Sequence, residues 1–361
     1  MNLLEPIAIR DLEIKNRVWL APMCQYQVDT LDGTPNLWHL MHYGARAAGG
    51  FGLIIAEATA IAPEGRISNR DAGIWSPEHI LKWHPIVSFA HEQGSKMALQ
   101  IGHAGRKAST YPALPGFPAG TMPPAEGGWE TLAPSAIAME GLETPREMTH
   151  EEILGLPQQF AAAARHAVAA GFDAVEIHAA HGYLLHQFLS PLSNTRIDDF
   201  GGTFANRTRL LLDVIAAVRD SIPEGMPLLV RVSATDWMSD QASWDLSQTI
   251  ELTKLLQQAG VDVLSVSSGG LVPAEIPVAP GYQTELAAKI RAATGIITAG
   301  AGLITEPQQA EDYLQNGDVD AVLIGRAALR DPNWPLRAAH ELGASAEEIG
   351  YPASYARGAW R

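Results

Sequence analysis

The chain has 361 residues, 47% of them hydrophobic and 18% charged, with a formal net charge of -15. That apolar content is enough for a large core, and so acidic a chain is poorly suited to phosphate backbones, which argues against a nucleic-acid partner. One cysteine, Cys24, excludes an internal disulfide, an all-cysteine zinc site and an iron–sulfur cluster within one chain. The opening residues MNLLEPIAIRDLEIKNR carry acids and no apolar core run, unlike a signal peptide. No apolar stretch is long enough to span a bilayer. The expectation is a soluble, cytoplasmic protein with no membrane partner.

Eight short apolar runs recur in chain order: Val18–Ala21, Leu53–Ala56, Met97–Ile101, Ala174–Ile177, Leu228–Val232, Val261–Val266, Ile296–Ala299 and Ala321–Ile324. Runs this short and this apolar suit strands buried on both faces. Helical spacing fills the gaps. Over Glu151–Ala170, Ile153, Leu156, Phe160, Ala164 and Ala167 form one stripe, with Thr149 and Glu152 at capping-box spacing before it. Arg207–Val218, Leu246–Ala259 and Thr284–Ala293 read the same way, and Gly171, Gly260 and Gly295 stop helices. Eight strand-then-helix units without a composition break predict an α/β fold, a (β/α)8 TIM barrel forming one domain over residues 1–361. A doubly wound open sheet is the second reading. The Pro- and Gly-rich stretch Tyr111–Pro134 has no periodicity and reads as a long loop over the active-site face after strand 3.

A TIM barrel carries its chemistry at the strand C-termini. That rule selects Pro22, Met23, Cys24 and Tyr26 after strand 1, and Glu57, Ala58 and Thr59 after strand 2. It adds Gln100, His103, Arg106 and Lys107 at strand 3, Glu176, His178, His181 and Tyr183 at strand 4, and Arg231 in strand 5. Gly300-Ala301-Gly302 and Gly325-Arg326 follow strands 7 and 8, where barrels often hold a phosphate on backbone N–H groups. Thr305 is placed to cap the next helix, with Pro307 in its first turn. These glycines equally read as plain strand ends. Arg231 reads either as half of an internal salt bridge, with Asp236 as partner, or as a cation facing an anionic part of a cofactor. His178, His181 and Tyr183 leave three readings open. The imidazoles bind one oxygen while the tyrosine delivers a proton; or Glu176, His178 and His181 ligate a metal in a barrel hydrolase; or the histidines are satisfied loop residues. Cys24 is either inert core or a functional thiol.

At these residues the sequence resembles the Old Yellow Enzyme family of FMN-dependent ene-reductases, in its bacterial, thermophilic-like branch with NADPH dehydrogenases and xenobiotic reductases. The matching segments are APMCQY (21–26), EAT (57–59), QIGHAGRK (100–107), EIHAAHGYLLHQFLSPLSNTR (176–196), FGGTFANRTRLLLDVI (200–215), LSVSSGG (264–270) and LIGRAALRDP (323–332). The resemblance implies bound FMN, with NADPH or NADH as reductant and no metal. It implies hydride transfer to the flavin and then to the β-carbon of an enone, maleimide or nitro compound. Pro22, Met23 and Cys24 are then expected along the flavin, Cys24 near its N5 edge. Ala58 and Gln100 contact the isoalloxazine, and Arg231 faces its N1–C2=O end. Ala301, Gly302, Gly325 and Arg326 hold the phosphate. His178 and His181 bind the substrate oxygen, Tyr183 protonates the α-carbon, and Tyr26 and Lys107 line the pocket.

The C-terminal SYARGAWR also matches that branch, where an arginine enters a neighbouring active site. Arg357, with Trp360 beside it, is the expected counterpart in a homodimer or homotetramer; a solvated basic tail over about 351–361 is the alternative. Some xenobiotic reductases carry tryptophan where this chain has Ala301, so a more open site is expected here. An FMN-binding barrel without turnover is a further alternative, against which the intact His/His/Tyr set stands.

Overall fold

In the computed structural model, which describes residues 1–360 apart from the side chain of Ala346, the eight apolar runs become eight parallel strands of a closed barrel. They are β1 (Val18–Leu20), β2 (Leu53–Ala60), β3 (Lys96–Gly102), β4 (Ala174–Ala179), β5 (Leu228–Ser233), β6 (Val263–Ser267), β7 (Ile297–Gly300) and β8 (Ala321–Ile324). Each pairs with its neighbours in sequence, and β8 returns to β1 through Val322–Val18 and Ile324–Leu20. That closure makes a barrel and excludes the open doubly wound sheet.

Helices lie between the strands, among them Pro77–Glu92, His150–Ala170, Phe204–Arg219, Leu246–Gln258 and Thr284–Thr294. Thr149 and Glu152 form the expected capping box, and Gly171 ends that helix at φ +95°. Two expectations shift. Val261 and Asp262 precede β6, because the Asp262 carboxylate accepts from Leu228 N at 2.9 Å and pairs with Arg10 at 2.6 Å. Thr305 is not the cap of helix Pro307–Gln315; Glu306 is, and the Thr305 carbonyl instead accepts the Trp334 indole N–H at 2.9 Å. Among the described residues no helix is long and apolar enough to cross a membrane.

Strand alternation divides the core in two. Trp19, Leu53, Ile55, Ala98, Ala174, Leu229, Val263 and Ala299 pack inside the barrel. A hairpin of Ile7–Ile9 and Leu12–Ile14 joins that cluster through Ile9, Leu12 and Ile14. The intervening residues, such as Val18, Leu20 and Val175, pack outward against the helices. Period-2 alternation then points Gln100, Glu176, His178, Arg231, Ser265 and Ser267 inward, above the apolar layer. A register shift between Ala56 and Thr59 in β2 interrupts that alternation at Glu57 and Ala58. The Tyr111–Pro134 segment packs on the loop after β2: Trp129 Nε1 donates to Glu64 O at 2.8 Å, and the Arg66 guanidinium lies 4.9 Å from the Trp129 ring.

Candidate active site

The lowest polar layer joins three strands. Gln100 Nε2 donates to Glu176 Oε1 at 2.7 Å, and the Ser265 hydroxyl donates to the other Glu176 oxygen. On β5, between them, Arg231 is buried, yet its Nε and Nη1 have no partner among the described residues. The salt bridge to Asp236 does not form. Asp236 is taken by His186 Nε2 at 3.0 Å, Ser190 Oγ at 2.6 Å and Trp244 N at 2.9 Å. Two unmade hydrogen bonds on a buried guanidinium are costly, so this geometry calls for an acceptor from outside the chain. Glu176 is also committed to Gln100 and Ser265, and no group of three His, Cys, Asp or Glu among the described residues is arranged to hold a metal. The Glu176/His178/His181 metal reading lacks its geometry.

Arg231 lies in the wall of a 280 Å³ cavity with Pro22, Met23, Ala301, Gly302, Gly325 and Arg326. Gly302 sits at φ +111°, and a Cβ there would come within 3.0 Å of Gln283 N, so the turn after β7 requires glycine. Arg330 lines the same cavity. A cavity with donors aimed from Arg231 and cationic side chains from the turn after β8 fits an elongated ligand that has a carbonyl-bearing ring and a phosphate. FMN meets that description.

The second cluster stands one residue pair higher. His178 is the register neighbour of Arg231. Its ring centroid is 5.1 Å from that of His181 and 4.8 Å from that of Tyr183, both nearly perpendicular. His178 and Tyr183 share a cavity wall with Ala58, Gly102 and Asp71. Burial, reinforced by Arg231 and Lys107, holds both imidazoles well below the usual histidine range, so they are neutral donors at ordinary pH. Burial likewise pushes the Tyr183 phenol well up and keeps it protonated.

The backbone around the cluster is strained and pinned. His181 has φ +57°, and Lys107 Nζ ties its carbonyl at 2.8 Å to that of Gly270 at 3.0 Å. A Cβ on Gly270 would lie 2.8 Å from His181 Cα, at φ +88°. Gly270→Ala is therefore expected to displace the His181 loop and raise KM for the substrate about tenfold or more. Steady-state kinetics beside an FMN content check reads this out; an unchanged KM would show that the close approach is not needed.

The remaining sequence candidates are placed as follows. Cys24 is a half-buried free thiol, pushed well up by burial and by the nearby carboxyls Asp71 and Glu57, so it stays a thiol. Tyr26 follows it at φ +54°. Glu57 anchors that segment by accepting from Gln25 N at 2.8 Å and Tyr43 Oη at 3.1 Å. Lys107 does not project freely into the site; its ammonium lies 5.1 Å from the Tyr183 ring centroid and is lowered to about 8 by burial. Arg357 and Trp360 line neither cavity of their own chain; Trp360 stacks on His340 at 5.3 Å. Sequence reasoning missed Gln283, Ser233 and Asp71. Ser233 Oγ accepts from His181 N at 2.9 Å, and Asp71 is buried beside Tyr183 with its carboxyl raised to about 7. Asp71 offered no signal beyond a lone acid in a loop.

A closed barrel that leaves a buried arginine unsatisfied beside two neutral histidines and a tyrosine has the parts of a flavin-dependent oxidoreductase. Residues 2–344 match the NADH:flavin oxidoreductase / NADH oxidase family, and the chain belongs to it. It is 46% identical to an NADPH dehydrogenase of Geobacillus thermodenitrificans over 360 residues, 99% of this chain and 98% of that protein. It is 44% identical to an NADPH dehydrogenase of Bacillus subtilis over 99% of both chains. Among solved structures, morphinone reductase in complex with tetrahydroNAD is similar at a TM-score of 0.78 and 27% identity, covering 97% of this chain and 96% of that one. The Old Yellow Enzyme homologue from Zymomonas mobilis is similar at a TM-score of 0.79 and 29% identity, over 97% and 98%. The chain spans 53% of the length of 2-naphthoyl-CoA reductase, at a TM-score of 0.85. The protein is an oxidoreductase of the Old Yellow Enzyme type that uses FMN and NAD(P)H, and the eight-stranded barrel and the expected cofactor pair stand.

Proposed function

We propose that this chain reduces activated alkenes such as enones, maleimides and nitroalkenes in one site that is used in turn by the nicotinamide and the alkene. FMN, when bound, supplies the hydride carrier between the two. Arg231 Nε and Nη1 would hold the ring's carbonyl end, and their lack of a hydrogen-bond partner among the described residues is the observation that carries this reading. Gln100, Ala58, Pro22 and Met23 would contact the ring; Ala301, Gly302, Gly325 and Arg326 would hold the phosphate. Cys24, kept as a thiol, would offer a weak donor at the ring edge. For Pro22, Met23, Ala301, Gly302, Gly325 and Arg326 those assignments rest on the lining of the cavity that holds Arg231; for Ala58, Gln100 and Cys24 they rest on the family resemblance.

His178 and His181 would bind the carbonyl or nitro oxygen of the alkene and draw charge toward it, which makes the β-carbon a better hydride acceptor. Tyr183 would deliver the proton to the α-carbon. Because both imidazoles sit well below the usual histidine range, they resist protonation as pH falls. Asp71 in the same cavity is raised to about 7 and titrates over the same span, so the test uses Asp71→Asn, for which KM for 2-cyclohexenone is expected to stay flat from about pH 7 down to about pH 5, past the ordinary histidine pKa of about 6.5. A rise in KM centred near pH 6.5 would contradict neutral, buried donors.

The reaction class is tested by an anaerobic absorption spectrum before and after NADPH, then after 2-cyclohexenone. Flavin bands that bleach with NADPH and return with the enone support the proposal. Bleaching without recovery would remove the alkene as oxidant, and a colourless protein that cannot be reconstituted with FMN would overturn the whole reading.

A further inference from the structure

The cavity that His178 and Tyr183 line has a further side, the turn Gly65–Asp71, which contributes Gly65, Arg66, Ile67 and Asp71. The room left between them is about 10 Å³, enough for one water and too little for a ring. A group that an alkene carries on the Tyr183 side therefore meets this turn. Because Tyr183 is assigned to the α-carbon, that group is the α-substituent.

The turn is bonded to neighbouring barrel loops at its two ends. Ala104 N donates to Gly65 O at 2.8 Å, and Val28 N donates to Arg70 O at 3.1 Å. Its middle is held in two other ways. The buried Asp71 carboxyl accepts from Ile67 N at 2.6 Å, Ser68 N at 2.9 Å and Ser68 Oγ at 3.0 Å. The long loop after β3 supplies the rest. Thr110 donates to Ile67 O through its N at 2.8 Å and its Oγ1 at 3.0 Å. Trp129 Nε1 donates to Glu64 O at 2.8 Å. The Arg66 guanidinium lies 4.9 Å from the Trp129 ring centroid and 5.6 Å from that of Trp75, and the Arg70 guanidinium lies 5.4 Å from the Phe117 centroid. The loop also closes on itself. Ser109 Oγ accepts from Trp129 N at 2.8 Å and donates to Met122 O at 3.3 Å, so its two ends meet.

We propose that residues 109–129 are the specificity element of the alkene site: Trp129, through its ring contact with Arg66, sets the depth of the Gly65–Asp71 turn and so the largest α-substituent that the site admits. The inference rests on the reading of His178, His181 and Tyr183 as the alkene's oxygen ligands and proton donor. It narrows the substrate class to alkenes whose α-carbon bears hydrogen or a small alkyl group, and it disfavours α-aryl alkenes. A close-packed wall gives way only where its backing is lost. Removing the indole takes away a hydrogen bond and the ring face against which the guanidinium lies, and the turn can then move away from Tyr183.

The test compares FMN-loaded Trp129→Ala with the parent on 2-cyclohexenone and 2-phenyl-2-cyclohexenone, by steady-state kinetics with NADPH. The kcat/KM of the phenyl compound relative to that of 2-cyclohexenone is expected to rise about tenfold or more, a discrimination that one methylene of pocket space can give. The change should fall chiefly on KM. A general loosening of the fold would slow both substrates and leave the ratio where it was. The same shift is read without turnover, as tighter binding of 2-phenylphenol relative to phenol. Trp129→Phe keeps a ring for Arg66 and is expected to keep the parent ratio. If Trp129→Ala does not hold FMN, Arg66→Gln serves, because it removes the guanidinium from the same contact and should give the same rise. An unchanged or lowered ratio in the variant that is read overturns the proposal, as does a rise in Trp129→Phe as large as that in Trp129→Ala. The alkene reading fails separately: a reduced parent that 2-cyclohexenone does not reoxidise removes that reading and this inference with it, whereas a parent that is reoxidised, with an unmoved ratio in the variants, removes the role of the loop alone.

Discussion

Tyr183→Phe is expected to slow alkene reduction by about 10²–10⁴-fold, the usual range for a positioned proton donor, while NADPH still reduces the flavin at close to the parent rate. The phenol stands 4.8 Å, centroid to centroid, from His178 and so beside the nitrogen pair assigned to the substrate oxygen. Burial keeps it protonated across the working pH range. A phenol held so high is a poor acid unless the phenolate left behind is stabilised. The Lys107 ammonium, 5.1 Å from the ring centroid, provides a cation for that moment. Stopped-flow measurement of each half-reaction separates the two effects. Equal losses in both halves would mean that Tyr183 shapes the pocket rather than donating a proton.

Arg231→Gln is expected to weaken FMN binding about 100-fold, roughly 3 kcal/mol, the worth of one or two charge-assisted hydrogen bonds. The effect should be large because Nε and Nη1 of the parent side chain have no hydrogen-bond partner among the described residues, so binding relieves a cost already present in the fold. Arg231→Lys keeps the charge but loses the planar fork and should fall between the two. FMN fluorescence quenching on deflavinated protein measures this. An unchanged Kd for Arg231→Gln would show that the cavity holds FMN by its phosphate end alone.

These predictions draw unequally on sequence and structure. A charge inside the apolar run LLVRV was legible as an anomaly, and so was its resolution as either an ion pair or a ligand contact. Its partner was not legible. Asp236 is five residues along the chain, but barrel curvature carries it to His186 and Ser190 instead. Thr305 shows the same limit on a smaller scale. A threonine two residues before a proline is a fair capping signal, yet the indole of Trp334, docking from 29 residues away, takes its carbonyl and Glu306 becomes the cap. Lys107 was legible as a strand-end cation, but its ammonium is spent on two carbonyls rather than open to ligand.

The amino-acid sequence by itself determined the eight strands, the approximate limits of the helices after strands 3 to 6 and many of the residues at the barrel mouth. Those features follow from patterns spanning a few residues: alternation along a strand, a capping box, a glycine that permits positive φ. Which of those residues meet was decided only by tertiary structure. His181 and Ser267 are 86 residues apart, and Gln100 and Glu176 are 76 apart. Their contacts exist because strand closure stacks inward-facing side chains into shared layers and brings separate loops over one mouth. Hydrogen-bond direction and an unsatisfied guanidinium are properties of such contacts, where geometry within about 3 Å decides the chemistry.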